Sequence, residues 1–223
     1  VDDTVVGTMG LVRLGTLTTS EDFNLSGNGG GALIAGTTST VVVNGDIVLS
    51  SNVSIVGAGT MPGLLTINGV ISGGFDLVYG GFVEVTGANT YTGSTNVNSG
   101  ILTVTDSAGL GTTAAGTFVQ GGWTLEFDIA AGATVSEAIT LGLGVESATP
   151  KLLHSAANTL ELDGGLTTSL GNTSDNVEIS VADDAAGEIR ITTVGVTGPH
   201  PIEKTGDGTL TIETDNAATL TGA

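Results

Sequence analysis

Short runs in which apolar and polar residues alternate, each closed by a cluster of Gly, Asn, Asp or Ser, follow one another along the whole chain. Alternation with period two predicts β-strands with one buried face, and turn residues every few positions predict that the strands are short. The plainest are Val41-Val-Val-Asn-Gly-Asp-Ile-Val-Leu49, Val53-Ser-Ile-Val56, Leu64-Leu-Thr-Ile67, Val83-Glu-Val85, Ile101-Leu-Thr-Val104 and Trp123-Thr-Leu-Glu-Phe127. Later come Ala138-Ile-Thr-Leu141, Thr159-Leu-Glu-Leu162, Val177-Glu-Ile-Ser-Val181, Glu188-Ile-Arg-Ile-Thr192 and Thr209-Leu-Thr-Ile-Glu213. Leu160 and Leu162 face one way and Glu161 and Asp163 the other, as in a strand with one wet face. Nowhere do apolar residues recur at three and four, so no helix of several turns is expected, and Ala108 and Ala114-Ala115 read as turns or packing sites.

The order of these elements repeats. Leu65-Thr-Ile-Asn-Gly-Val-Ile-Ser-Gly73 leads through Phe82-Val-Glu-Val85 to Gly87-Ala-Asn-Thr-Tyr-Thr-Gly93. Ile189-Arg-Ile-Thr-Thr-Val-Gly-Val-Thr-Gly198 leads through Thr209-Leu-Thr-Ile212 to Asp215-Asn-Ala-Ala-Thr-Leu-Thr-Gly222. Repetition of strands and Gly corners points to a solenoid. The expected fold is therefore all-β, a right-handed parallel β-helix with no substantial α-helix, forming one segment over residues 1–223 with repeat-like units near 63–104 and 189–223. An antiparallel sandwich is the structural alternative, but its hairpin signals are thin: Asn-Gly at 44–45 and 68–69 are the plain two-residue cases. With roughly 20 residues per rung and about 4.8 Å between rungs, the chain is expected to make on the order of ten rungs and a rod about 50 Å long. Each open terminal rung needs a cap or a partner.

Composition narrows the partners. The 223 residues include 37 Gly, 23 Asp+Glu and only 4 Lys+Arg, for a formal net charge of −19. So much Gly suggests disorder, but the abundance of Val, Ile, Leu and Thr argues for folded β structure. Four basic side chains make no patch able to neutralise a run of phosphates, so nucleic acid and anionic membrane surfaces are not expected ligands. The chain has no Cys, hence no disulfide framework and no thiolate metal site. No apolar run approaches the roughly 20 residues of a transmembrane helix. The chain, which opens at Val1 without a leader-like stretch, is expected to be a mature or excised piece of a longer repetitive protein.

Candidate chemistry is sparse. Glu126 with Asp128, and Glu161 with Asp163, place carboxylate pairs at period two, the arrangement an acid–base pair would need and equally that of a solvated outer face. Arg13, Lys151, Arg190 and Lys204 are scattered, and an acidic rod repels an acidic sugar polymer. His154 and His200 lie far apart and without neighbouring ligands, so surface or packing roles are expected. Gly27-Asn-Gly-Gly-Gly-Ala32 loosely fits a dinucleotide pattern, but Leu33-Ile-Ala-Gly36 does not begin a helix and the run reads as a corner. Asp2-Asp3 and Asp183-Asp184 are acidic turns with no more than weak affinity for calcium. No catalytic, cofactor-binding or metal-binding residues are assigned.

Gly87-Ala-Asn-Thr-Tyr-Thr-Gly93 followed by Thr95-Asn-Val-Asn-Ser-Gly-Ile-Leu-Thr-Val104 resembles the passenger-associated β-strand repeat of bacterial autotransporters. Ile202-Glu-Lys-Thr-Gly-Asp-Gly-Thr-Leu-Thr-Ile212 resembles the opening of that repeat, where Lys-x-Gly-x-Gly-Thr-Leu is typical. The first copy departs at Tyr79, near the usual Lys, and the second lacks the closing Tyr. The segment from Gly109 to Gly164 looks like the spacer between such repeats, so the resemblance covers most of 63–223. It implies an extracellular right-handed β-helix serving as a bacterial stalk or adhesive module, and a C-terminal membrane β-barrel that is not among these residues. The expectation is a non-catalytic extracellular structural or adhesive module. The alternatives are a filament or sheath subunit that stacks end to end on copies of itself or on neighbouring surface proteins, a glycan-binding adhesin and, last, a polysaccharide-degrading enzyme. Tyr91, Phe82 and Trp123 are expected to be packing residues.

Overall fold

The computed structural model describes residues 4–6, 11–26, 32–130, 132–142, 148–169, 176–182, 186–192 and 195–213. Their strands wind into a parallel β-solenoid with no helix among the described residues, and every pairing between strands is parallel. The antiparallel sandwich is thereby excluded.

Successive strands take successive faces. One nine-stranded sheet, here the second face, runs from Leu11–Leu14 to Val196–Thr197, and another, the third face, from Leu17–Thr19 to Ile202–Thr205. Eight spacings of about 4.8 Å make each stack about 38 Å long. The first face is divided into two four-stranded sheets. One holds Thr4–Val6, Phe23–Leu25, Ile47–Leu49 and Ile71–Gly73; the other, at the same place in the chain order, holds Ala133–Val135, Thr159–Leu162, Glu188–Ile191 and Thr209–Ile212.

Alternation sorts side chains as the sequence predicts. Val41, Val43, Leu65, Ile67, Val83, Val85, Leu102, Val104, Leu125 and Phe127 are buried from strands of the third face and form part of one continuous apolar lumen. At about 25 cal/mol per Å² of apolar surface, this filling is the main stabilising term. The residues between them point out.

Corners depend on close stacking of main chain. Asn44-Gly45 and Asn68-Gly69 are not hairpin turns; they are corners lying one above the other between the third and first faces. A Cβ on Gly69 would lie 1.9 Å from the carbonyl oxygen of Gly45, so glycine is needed there for space. Gly100, with φ 73, needs it for conformation as well. Side chains continue the inter-rung bonding around the bend: Asn68 Nδ2 donates to Asn44 Oδ1 at 2.7 Å, Thr86 Oγ1 donates to Asn68 Oδ1 at 2.9 Å, and the Val70 N–H donates to Asp46 Oδ1 at 2.8 Å. The Asp76 carboxylate accepts from Asn52 Nδ2 and from the Ser94 N–H and hydroxyl.

The two similar stretches fall on different faces. Phe82–Val85 belongs to the third face, whereas Thr209–Ile212 belongs to the first; the closing stretch 215–222 lies outside the described residues. A strand–corner–strand unit fits any corner, and stacking on the preceding rung sets its phase. Rung length varies accordingly, with stacked residues 18 apart at Leu77 and Thr95 but 30 apart at Thr167 and Thr197.

Gly87–Gly93 lies in the gap between the two sheets of the first face and crosses it without a strand. Main-chain bonds persist there, as from the Thr90 N–H to the Ile71 carbonyl, and Asn89, 3% exposed, adds to them: its Oδ1 accepts the Ile71 N–H and its Nδ2 donates to the Gly109 carbonyl, both at 2.7 Å. Replacing Asn89 with Ala leaves two buried main-chain groups unsatisfied. Asn89→Ala is expected to lower the unfolding free energy by about 3 kcal/mol in urea denaturation, against less than about 0.5 kcal/mol for exposed Thr90→Ala.

Candidate interaction face

The outer side of the third face carries an open groove among the described residues. Two columns of outward side chains run along the rod. In one, Phe82 stacks on Ile101 and Ile101 on Thr124, with Leu64 on the rung before; in the other, Thr66, Glu84, Thr103 and Glu126 follow in register. Met61, 66% exposed, leans in from the preceding loop. Together Met61, Leu64, Phe82, Glu84, Ile101, Thr103 and Glu126 line an open groove of about 320 Å³. Thr66 donates to Glu84 Oε2 at 3.2 Å and Thr103 to Glu126 Oε2 at 3.1 Å, which fixes both carboxylates at the groove's edge.

Farther along the same face Lys151, Leu153, Ser155, Ser180, Ala182, Thr205 and Gly206 line a more polar depression. Lys151 Nζ meets Glu178 Oε1 at 2.9 Å. Burial works against the Glu178 carboxylate, but hydrogen bonds from Lys151 and Thr205 and the Lys151 charge outweigh it and hold its pKa below the usual value.

The candidate carboxylate pairs are not drawn together into a cleft. Glu126 sits in the strand Thr124–Phe127 and bonds Thr103, while Asp128 lies exposed past the strand's end. Glu161 accepts from Thr192 at 3.2 Å on the first face, and Asp163 follows its strand. Arg190 pairs with Glu188 and Glu213 on that face, Lys204 Nζ donates to the Gly206 carbonyl, and Arg13 is exposed on the second face. His154 is fully buried, each ring nitrogen 3.0 Å from a main-chain carbonyl, of Phe127 and of Asn158. His200 is 6% exposed at a corner, its N–H bonded to Thr168 Oγ1. Among the described residues no three His, Cys, Asp or Glu side chains gather as a metal site, and no helix is long and apolar enough to cross a membrane. Ala32–Ala35 is a strand; the glycine run before it, Asp2-Asp3 and Asp183-Asp184 lie outside the described residues.

The aromatic residues divide. Tyr91 is fully buried, as expected of a packing residue. Trp123 is not: it follows Gly122, whose φ of 83 turns the corner, and is 36% exposed at the start of the Thr124–Phe127 strand. Phe82, half-buried, belongs to the groove.

Sequence reasoning missed two features. The groove was legible as apolar doublets at strand starts, Leu64-Leu65, Phe82-Val83 and Ile101-Leu102, since only one member of each can face the lumen. The other is a buried polar cluster beside the gap in the first face. Tyr91 Oη lies 2.5 Å from Thr95 Oγ1; Thr117, stacked on Thr95, donates to Glu137 Oε1 at 3.4 Å; and Glu137 Oε2 is buried without a partner. Tyr79, also buried, sits beside Tyr91. Desolvation pushes both tyrosines up and raises the Glu137 carboxyl from 4.5 to about 7, the Thr117 hydrogen bond offsetting part of the rise. Nothing in the sequence around Glu137 separates it from a solvated acidic turn.

A carboxyl whose folded pKa is raised binds its proton more tightly in the folded state. Its contribution to stability is therefore present below about 4.5 and is lost as pH rises through about 7. Thermal unfolding from pH 4.5 to 8 is expected to show a fall in Tm that Glu137→Gln flattens, whereas exposed Asp128→Asn leaves the fall in place. Comparisons of the chain with known protein families, curated proteins and solved structures find no match.

Proposed function

We propose that this chain is a non-catalytic extracellular module of a bacterial surface or secreted protein, a stiff acidic rod that spaces and presents other parts. The observation that carries this reading is the pair of nine-stranded parallel stacks around one apolar lumen. Such an architecture gains length rung by rung without a new core and resists bending because each rung bonds the next. The carboxylates fit the same reading: Asp46, Asp76, Glu84 and Glu126 hold corners and strands together and are not paired as acid and base. The resemblance of Gly87–Gly93 and Ile202–Ile212 to the autotransporter passenger repeat supports the extracellular, bacterial setting.

A second reading, a subunit that stacks end to end, draws on the outermost described strands. Leu11 is 53% and Leu17 37% exposed at one end, and Ile202, Leu210 and Ile212 are only partly buried at the other. Negative-stain electron microscopy over a range of protein concentrations, with and without calcium, separates the two. Isolated short rods indifferent to calcium are the expected result; fibres that lengthen with concentration would transfer the function to the terminal rungs. Polysaccharide cleavage that Glu126→Gln abolishes would overturn the non-catalytic reading altogether.

A further inference from the structure

The groove on the third face has no role in a spacer. Its floor is Leu64, Phe82 and Ile101, three apolar side chains on consecutive rungs facing outward, extended by the exposed Met61. Elsewhere the same column is polar, with Thr40 before it and Thr124, Lys151 and Glu178 after it. Leu64, Phe82 and Ile101 are half-buried and Met61 is 66% exposed, so a partner laid in the groove covers apolar surface that the rod itself leaves partly open. Its rim is of one sign: Glu84 and Glu126 each commit one oxygen to a threonine, and no basic residue lines the groove. The two carboxylates are two rungs apart, about 10 Å along the rod.

We propose that this groove docks a basic amphipathic helix of a partner protein, laid along the rod axis. Its apolar side chains seat on Leu64, Phe82 and Ile101, and Lys or Arg residues pair with Glu84 and Glu126. Seven residues of helix span about 10.5 Å, so cations at i and i+7 reach both carboxylates, while apolar residues at i+3 and i+4 lie level with Ile101 and those at i−3 and i−4 level with Leu64, with Phe82 between them. The acidic rod speeds the encounter and the apolar floor selects the partner. Neither component suffices alone: carboxylates on a polar face attract any cation, and an apolar strip without them does not favour a basic segment over another.

The test uses the whole 223-residue chain and a fluorescent helical peptide with Lys at i and i+7 and Leu at i−4, i−3, i+3 and i+4. A control of the same composition scatters the leucines around the helix. The side chains to be changed point away from the lumen, and circular dichroism and Tm check that each variant folds. The designed peptide is expected to bind at least tenfold more tightly than the control. The double variant Phe82→Thr/Ile101→Thr should erase that difference, and Glu84→Gln/Glu126→Gln should weaken binding at least fivefold and flatten its salt dependence. Equal binding of the two peptides, or apolar variants that bind like the parent, would overturn the proposal and leave only diffuse attraction to an acidic surface. So would self-association abolished by Phe82→Thr, or chito-oligosaccharide binding lost in the same variant, which would assign the groove to a second copy or to a glycan.

Discussion

Everything in this molecule answers to one constraint: each rung's main-chain groups must bond the rungs above and below at a spacing near 4.8 Å. Along the strands the constraint satisfies itself. At the corners, where the chain turns away from the ladder, it has to be met by particular residues. Gly45 and Gly69 let two backbones approach closely, while Asp46, Asp76, Asn68 and Asn89 supply side-chain oxygens and nitrogens in place of main-chain ones. The chain's acidity is thus partly architectural. A carboxylate facing the N–H groups of the next rung closes a corner without needing a cation.

The same constraint shapes the outer surface. Because stacking is in register, a choice made at one outward position is read against its neighbours on adjacent rungs, and columns result. A column of alternating threonine and glutamate, as at Thr66, Glu84, Thr103 and Glu126, places a donor between like charges that would otherwise repel across adjacent rungs. A column of three apolar residues creates a groove that no single strand possesses. The surface chemistry of a solenoid belongs to the columns, and its sequence is written along the strands, which cross them.

The interruption of the first face is where the interior departs from plain aliphatic packing. Without a strand over 87–93, the lumen there is closed by Tyr91 and Asn89, and hydroxyls replace aliphatic side chains at Thr95 and Thr117. Glu137, admitted to this region with one oxygen unpartnered, makes stability respond to pH near neutrality. A buried tyrosine whose hydroxyl is satisfied by Thr95 gives a physical reason for Tyr to stand in the Gly87–Gly93 motif: it fills the volume that a strand's side chains would otherwise fill.

Period-two alternation, the absence of helical spacing and the recurrence of Gly-bounded strands determined by themselves that the chain is an all-β solenoid, because a strand of four residues has only two faces and cannot bury its apolar one alone. The outward direction of Glu126 and Glu161 followed from the same rule. What only the tertiary structure decided is everything that depends on which residues become neighbours across rungs. Rung length varies, so sequence spacing does not reveal that Phe82 stacks on Ile101, that Asn89 bridges Ile71 and Gly109, or that the second similar stretch runs one face out of phase with the first. Burial at turns is equally invisible to alternation. Glu137 and Asp128 both follow short strands or turns rich in small residues, yet one is enclosed at a corner and the other is left in water, because a corner's exposure is set by the rungs stacked against it.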